Sequence, residues 1–367
     1  MRYASIYPVL AAAVVTGSLG GCRARPDTPD VNIHIGTIST AAADAQCASS
    51  LGYAKLLCLA AGLTRTLSPE LKVRMLLPYS FKNASSWSNF PPMGYRDRIG
   101  PMLSEFSVPQ RGYIKAILRE VSGAQPNQGL DELEQILNAD DYLLAKTKEA
   151  GFSSGNFHFA FLGTPSAKGI WQIYYGGHHT ALTNTYIDGR LAGASPLFRG
   201  VEPFVRFNQN GRENAPMLDE QAAFARLLTS LSPAQAAKAK LSKTFTDVIV
   251  GPQRDDDFPT IRDGLKGVDL STAQKVLLLA AINTYVGDID QPDADAILAR
   301  YRRQLDDTYV AFTGTVSVSA ENDYVRIDGP SVWIEYSMQP GRSIPGVHPH
   351  SVWRDRKTDY GGTKPTS

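Results

Sequence analysis

The sequence predicts an α+β fold, an antiparallel sheet packed with helices in a single domain. Three observations point to it: helical and extended periods come in blocks rather than one for one, the period changes sharply at Asn156, and two helix starts carry full capping signatures. Pro109 opens a helical segment whose stripe is Tyr113, Ile117 and Val121, and Leu130, Leu133, Ile136 and Leu137 form a second stripe. Phe157 to Leu162 and Trp171 to Ile187 are rich in aromatic and β-branched residues, and Asp188-Gly189 supplies a hairpin turn into Arg190-Leu191. Helices return at Ser232-Pro233-Ala234-Gln235 and Ser271-Thr272-Ala273-Gln274. In each the Ser accepts from the third backbone N–H and the Gln reaches back. The apolar run Val276 to Ile282 reads as part of a buried helix, too short to span a bilayer. Strands close the chain at Tyr309 to Thr313, Tyr324 to Ile327 and Val332 to Tyr336, the last two joined at Asp328-Gly329-Pro330.

Of the 367 residues 43% are hydrophobic and 20% charged, which excludes disorder and allows a sizeable core. With 37 Lys and Arg against 36 Asp and Glu the net charge is +1, so nucleic acid is not an expected partner. The N-terminus reads as an export signal: Met1-Arg2 is basic, Val9 to Val15 is a short apolar run, and Leu19-Gly20-Gly21-Cys22 resembles a bacterial lipobox. Residues 1–21 are then a cleaved lipoprotein signal peptide and Cys22 the lipidation site, with an acyl chain tethering the protein to the membrane of the cell envelope, facing the periplasm or the exterior. Residues 22–40 are polar and proline-containing and read as a flexible tether, leaving 41–367 as the folded body. Export to an oxidising compartment lets Cys47 and Cys58 pair as a disulfide closing a short loop, worth roughly 3 kcal/mol in the chain-entropy picture; the alternative is two buried thiols.

Four of the six histidines fall in two tight groups, His178-His179 and His348-Pro349-His350. Residues two apart on an extended chain share a face, so His348 and His350 can chelate one ion, their side chains roughly 7 Å apart at the base. His178 and His179 point to opposite faces unless Gly176-Gly177 bends the strand, so one of them is expected inward. Two or three imidazoles with one carboxylate suit a divalent metal, Zn²⁺ or Cu²⁺ ahead of Fe²⁺. The carboxylate expected as ligand or general base is Glu335, an acid in an otherwise apolar strand; Glu202 is the second choice, and Asp355 a candidate to orient a ligand histidine. Tyr175 and Arg354 are expected to contact substrate or developing charge, and Trp171, Tyr174 and Trp333 to line an aromatic pocket with Glu202 beside it. Histidines beside Trp and Tyr can also be hydrogen-bonded members of an aromatic cluster that bind nothing. His34 and His158 read as surface or core residues.

Six blocks in order resemble the bacterial and fungal family called "domain of unknown function 3500". They are Trp87 to Pro91, Phe161 to Pro165, Trp171 to His179, Pro196 to Pro203, Gly329 to Tyr336, and His348 to Asp355 with Asp359-Tyr360-Gly361. The resemblance covers nearly the whole chain after the tether. It implies one domain and directs attention to the same histidines and acids, but it implies no activity. The family pattern places Asn before the His-x-His pair, where this chain has Val347.

No Gly-x-Ser-x-Gly elbow, Gly-x-Gly-x-x-Gly loop or phosphate-binding loop is present, and Asp255-Asp256-Asp257 reads as a solvated acidic turn. Two classes of function remain. One is an envelope metalloenzyme, hydrolase or oxidoreductase, acting on a small molecule or peptide. The other is a non-catalytic lipoprotein that captures such a ligand in an aromatic and histidine pocket.

Overall fold

Capping chemistry starts the helices where the sequence places them. In the computed structural model, which describes residues 32–149 and 151–362, Ser232 and Ser271 accept from Gln235 N and Gln274 N at 3.3 Å, and the two Gln side chains return the bond at 2.9 Å. Ser107 and Gln110 form a third such box before a helix with Pro109 in its first turn. The helices are α1 Ala41–Gln46, α2 Gly52–Thr66, α3 Pro69–Met75, α4 Phe81–Ala84, α5 Val108–Glu120, α6 Gly129–Thr147, α7 Leu218–Thr229, α8 Pro233–Ala239, α9 Thr272–Val286 and α10 Gln291–Arg302. Among the described residues none is long and apolar enough to cross a membrane.

The strands are β1 Leu76–Leu77, β2 His158–Leu162, β3 Ile170–Gly177, β4 Thr180–Ile187, β5 Arg190–Gly193, β6 Leu197–Gly200, β7 Phe207–Gln209, β8 Arg212–Asn214, β9 Leu265–Lys266, β10 Tyr309–Thr313, β11 Tyr324–Asp328, β12 Val332–Pro340 and β13 Val347–Asp355. Eleven of them form one sheet in the order β1-β2-β3-β4-β6-β13-β12-β11-β10-β9, with β5 beside β4, antiparallel except for the β1–β2 pair. The fold is therefore α+β in a single domain. Short β6 is the seam, pairing with β4 through Leu197–Arg199 and with β13 through Leu197–Gly200.

Alternation along the strands gives the sheet two different faces. One buries Phe159, Phe161, Trp171 and Ile173 under α2 and α5, and Val310, Ile327 and Ile334 under α7 and α9. The opposite face is covered by α4 and irregular segments, which lay Trp87, Val248 and Tyr360 over Ala160, Tyr174, Phe198 and Val352. His348 and His350 project from this second face, because they alternate in step with Val352 along β13.

Several expectations change. The packed body begins before Ala41: Ile33 and Ile35 are buried, Ile33 N–H donates to Ser154 Oγ at 2.7 Å, and Lys115 Nζ donates to the carbonyls of Ile35 and Gly36 at 2.8 Å each. Residues 33–40 thus lie against the domain rather than in a tether. The signal peptide and Cys22 lie outside the described residues. Trp171 to Ile187 is a hairpin, its turn at His178-His179, since Gly177 pairs with Thr180. Asp255 is no solvated turn residue; it accepts from Arg354 Nη2 at 2.7 Å and from the Tyr360 hydroxyl at 2.6 Å. Cys47 and Cys58 are disulfide-bonded, their Cα atoms 5.8 Å apart.

Candidate metal centre

Three elements bring the histidines together. His179 ends the β3–β4 turn with φ 59°, in the left-handed region that side-chain-bearing residues adopt at a cost. Two backbone bonds hold it there: its N–H donates to Asn89 O at 3.0 Å, and its carbonyl accepts from Gly200 N at 2.8 Å. Gly200 also supplies the space. A Cβ at that position would lie 2.9 Å from His179 Cδ2 and 3.1 Å from Pro349 O. Gly200 pairs with His350 across the β6–β13 register, so the ring of His179 sits above the two histidines of β13.

The rings of His179, His348 and His350 form a near-equilateral triangle, their centroids 5.2, 5.3 and 5.0 Å apart. One nitrogen of each lies within 4.8 Å of the others, all three residues are buried, and together they could hold a metal ion. The His350 Nε2 to His179 Nε2 separation is 3.4 Å. Two nitrogens bound tetrahedrally to one ion at about 2.1 Å would stand about 3.4 Å apart, so this edge already has the spacing that Zn²⁺ coordination requires. His350 Nδ1 is 3.0 Å from Asp247 Oδ1, an arrangement that puts the proton on Nδ1 and turns the Nε2 lone pair toward His179. His348 Nδ1 is buried without a hydrogen-bond partner among the described residues. A buried ring nitrogen with no partner, on one of three clustered histidines, fits a donor for a cation.

Burial keeps the rings of His179 and His348 neutral. Burial pushes His179 well below the ordinary histidine range, and the neighbouring imidazoles add to it. Burial likewise takes His348 down to about 3, with His350 contributing. Neutral imidazole is the form that coordinates a metal. Burial is the largest influence on the Asp247 carboxylate and works against it, but the hydrogen bonds from His350 and Val248 N and the attraction of the nearby imidazoles together hold the acid below its usual range.

His178 stands beside the triangle rather than in it. Its ring stacks on His179 at 3.7 Å, with Phe152 at 5.2 Å, and its Nδ1 lies 2.6 Å from Asp140 Oδ1 on α6. Burial raises Asp140 and lowers His178, so the pair is neutral and shares one proton. The histidines open onto a cleft of about 410 Å³ that Phe90, Phe152, Glu202, Gln339 and Arg342 also line.

The other expected site residues lie elsewhere, for physical reasons. Glu335 shares the histidine face but points under the 249–250 segment: its carboxylate accepts from Ile249 N, Val250 N, Tyr324 Oη and Trp333 Nε1 at 2.6 to 2.9 Å. An acid so fully used is a structural anchor, not a ligand or base. Glu202 lines the cleft, but its Oε1 accepts from the N–H groups of Arg342, Ser343 and Ile344 at 2.9, 2.9 and 3.0 Å. Asp355 orients no histidine; it accepts from Tyr301 Oη at 2.7 Å and from Arg300. Arg354 is buried against Asp359 and Asp255 at 2.7 Å each. Tyr175 and Trp171 belong to the helix-covered face, Tyr175 against Phe157 and Trp171 donating from Nε1 to Tyr53 at 2.8 Å. Tyr174 is buried on the histidine face under the irregular segments, its hydroxyl donating to Ser86 O at 2.7 Å, and does not line the cleft. Trp333 is fully buried, with the Arg356 guanidinium 5.1 Å from its ring. His158 is bonded through Nδ1 to Gly100 O at 2.9 Å, and His34 is exposed.

Sequence reasoning missed Asp247, Asp140, Phe152 and Arg342. Only Asp140 left a signal: it continues the Leu133, Ile136, Leu137 stripe of α6, where an acid must be buried. A family described as "Protein of unknown function (DUF3500)" matches residues 51–362. No curated protein and no solved structure matches the chain.

Proposed function

This chain belongs to the DUF3500 family, whose description assigns no activity, and we propose from the site itself that the protein is a metal-dependent enzyme acting on a small molecule or peptide. The observation that carries this reading is the triangle of buried histidine nitrogens within 4.8 Å of one another, opening onto a cleft. Three protein ligands with a position left for substrate or water is the pattern of catalytic rather than structural metal sites. An all-imidazole set favours Zn²⁺ or Cu²⁺ over Fe²⁺, whose common site includes a carboxylate ligand.

Hydrolysis and oxidation both fit such a site. When bound, the ion would polarise a carbonyl or lower the pKa of water. The rest is work for the chain. Asp247 fixes the tautomer of His350, and Asn89 and Gly200 fix the backbone of His179. The His178–Asp140 pair keeps one proton at the cleft wall, 2.6 Å from donor to acceptor, available to a leaving group. The basic start, short apolar run and Cys22 pattern of residues 1–22 support an exported, lipid-anchored envelope protein as its setting.

Elemental analysis tests the reading. The chain starting after Cys22, purified without a histidine tag, is compared with a His348→Ala/His350→Ala variant. Near-stoichiometric Zn or Cu in the parent and none in the variant is expected. Two folded, metal-free proteins after incubation with Zn²⁺ and Cu²⁺ would overturn it and leave capture of a ligand without catalysis.

A further inference from the structure

We propose that the cleft binds a carboxylate-bearing ligand with an apolar or aromatic body, and that Arg342 is the residue that receives the carboxylate. The inference rests on the reading of this cleft as a substrate site and names the substrate class. It starts from the charges that line the cleft. Each acid there is anchored through one oxygen, Glu202 Oε1 by three backbone N–H groups and Asp247 Oδ1 by His350 Nδ1 and Val248 N. The Arg342 side chain is exposed and, among the described residues, has neither an ion-pair nor a hydrogen-bond partner. Arg342 is therefore the cationic side chain that lines the cleft, and its guanidinium donors are left unused by the protein.

That guanidinium is mounted on a rigid support. Gly341 N–H donates to Gly346 O at 2.7 Å, closing a six-residue loop, and a Cβ at Gly341 would lie 2.2 Å from Ile344 O. Glu202 plugs the loop, taking three successive N–H groups on one oxygen. The plug also decides the class of anion. Successive backbone N–H groups are what a phosphate ordinarily exploits, and here they are already occupied. A single planar fork remains, enough for the two oxygens of a carboxylate but without the further N–H donors that a phosphate's third oxygen would need. Phe90 and Phe152 line the same cleft and offer an apolar wall to the rest of the ligand.

The probe is hippurate, which joins a phenyl ring and a carboxylate through an amide, set against its neutral amide, hippuramide. Binding of both is measured calorimetrically to metal-free and Zn²⁺-loaded protein, for the parent, Arg342→Gln and Arg342→Lys. Hippurate should bind the parent more tightly than hippuramide, lose about tenfold or more on Arg342→Gln, and recover part of that on Arg342→Lys. Unfolding temperatures of the variants should match the parent, since Arg342 is exposed. Equal hippurate affinity in parent and Arg342→Gln, no measurable hippurate binding, or inorganic phosphate competing in an Arg342-dependent way would each overturn the proposal. Arg342-dependent hippurate binding to a protein that takes no metal would remove only the metalloenzyme reading. Full metal occupancy with hippurate binding indifferent to Arg342 would remove only this one.

Discussion

His350 and Asp247, 103 residues apart in the chain, meet with Nδ1 3.0 Å from Oδ1. The contact fixes which imidazole nitrogen faces the other two histidines, so it would act on a bound metal without touching it. Asp247→Ala should weaken Zn²⁺ binding by about 10- to 100-fold, the usual cost of losing a carboxylate behind a ligand histidine. Chelator competition measures it. Asp247 is half-buried, so the unfolding temperature should change little. Unaltered Zn²⁺ affinity would mean that His350 is held by its strand alone.

Gly200 is where sheet and site share one constraint. Its missing side chain leaves room for the His179 ring, and the carbonyl of Pro349 blocks retreat on the other side. Gly200→Ala should therefore displace His179, abolish near-stoichiometric metal, and destabilise by about 1–3 kcal/mol through overpacking. Metal analysis beside urea unfolding separates the two effects. A variant that keeps full metal would show that the ring can move without loss of its ligand position.

Glu335 gives the opposite pattern. Four donors at 2.6 to 2.9 Å converge on it in a buried setting, where burial first of all raises its pKa while those bonds oppose the rise. Glu335→Gln puts an NH₂ against N–H donors and should cost about 3–5 kcal/mol, the cost of breaking a buried charged network. The surviving folded protein should bind metal as the parent does. Loss of metal at full stability would return Glu335 to the list of ligands.

Much of the architecture was legible because it is local. Capping boxes, the Asp188-Gly189 turn and the period change at Asn156 each act within a few residues, and β10 begins and ends at Tyr309 and Thr313 as its pattern says. The shared face of His348 and His350 was legible for the same reason. Glu335 was misread because burying an acid requires partners, not a metal, and backbone N–H groups from residues 249 and 250 served. Trp171 and Tyr175 were misread because alternation tells that two residues share a face but not which face carries the site. Asp247 and Arg342 were silent: one sits in an irregular segment, the other in a Gly/Pro-rich loop, and neither has a period to read.

The acids beneath the site make a prediction about pH. Glu132 and Asp288 are buried with one cation between them, Arg199 Nε at 3.3 Å from Glu132 and Nη2 at 3.4 Å from Asp288. Burial above all, then the Asp288 charge, pushes Glu132 up to about 8, against a guanidinium too far for short bonds. A native value raised above the unfolded 4.5 means that the folded state binds more protons between those limits. Stability from this group is therefore complete below about pH 4.5 and is lost as pH rises through 8. His179 and His348, lowered by burial, work in the reverse sense: their contribution is present above about pH 6.5 and is lost on acidification. Total stability mixes the two, so the test is a difference. Glu132→Gln copies the neutral acid and does not titrate. The stability of the parent minus that of the variant, from urea unfolding at pH 5 and pH 8, should fall as pH rises. A difference that stays level between pH 5 and pH 8 would mean that Glu132 is ionised in the native protein and that the Arg199 pair outweighs its burial.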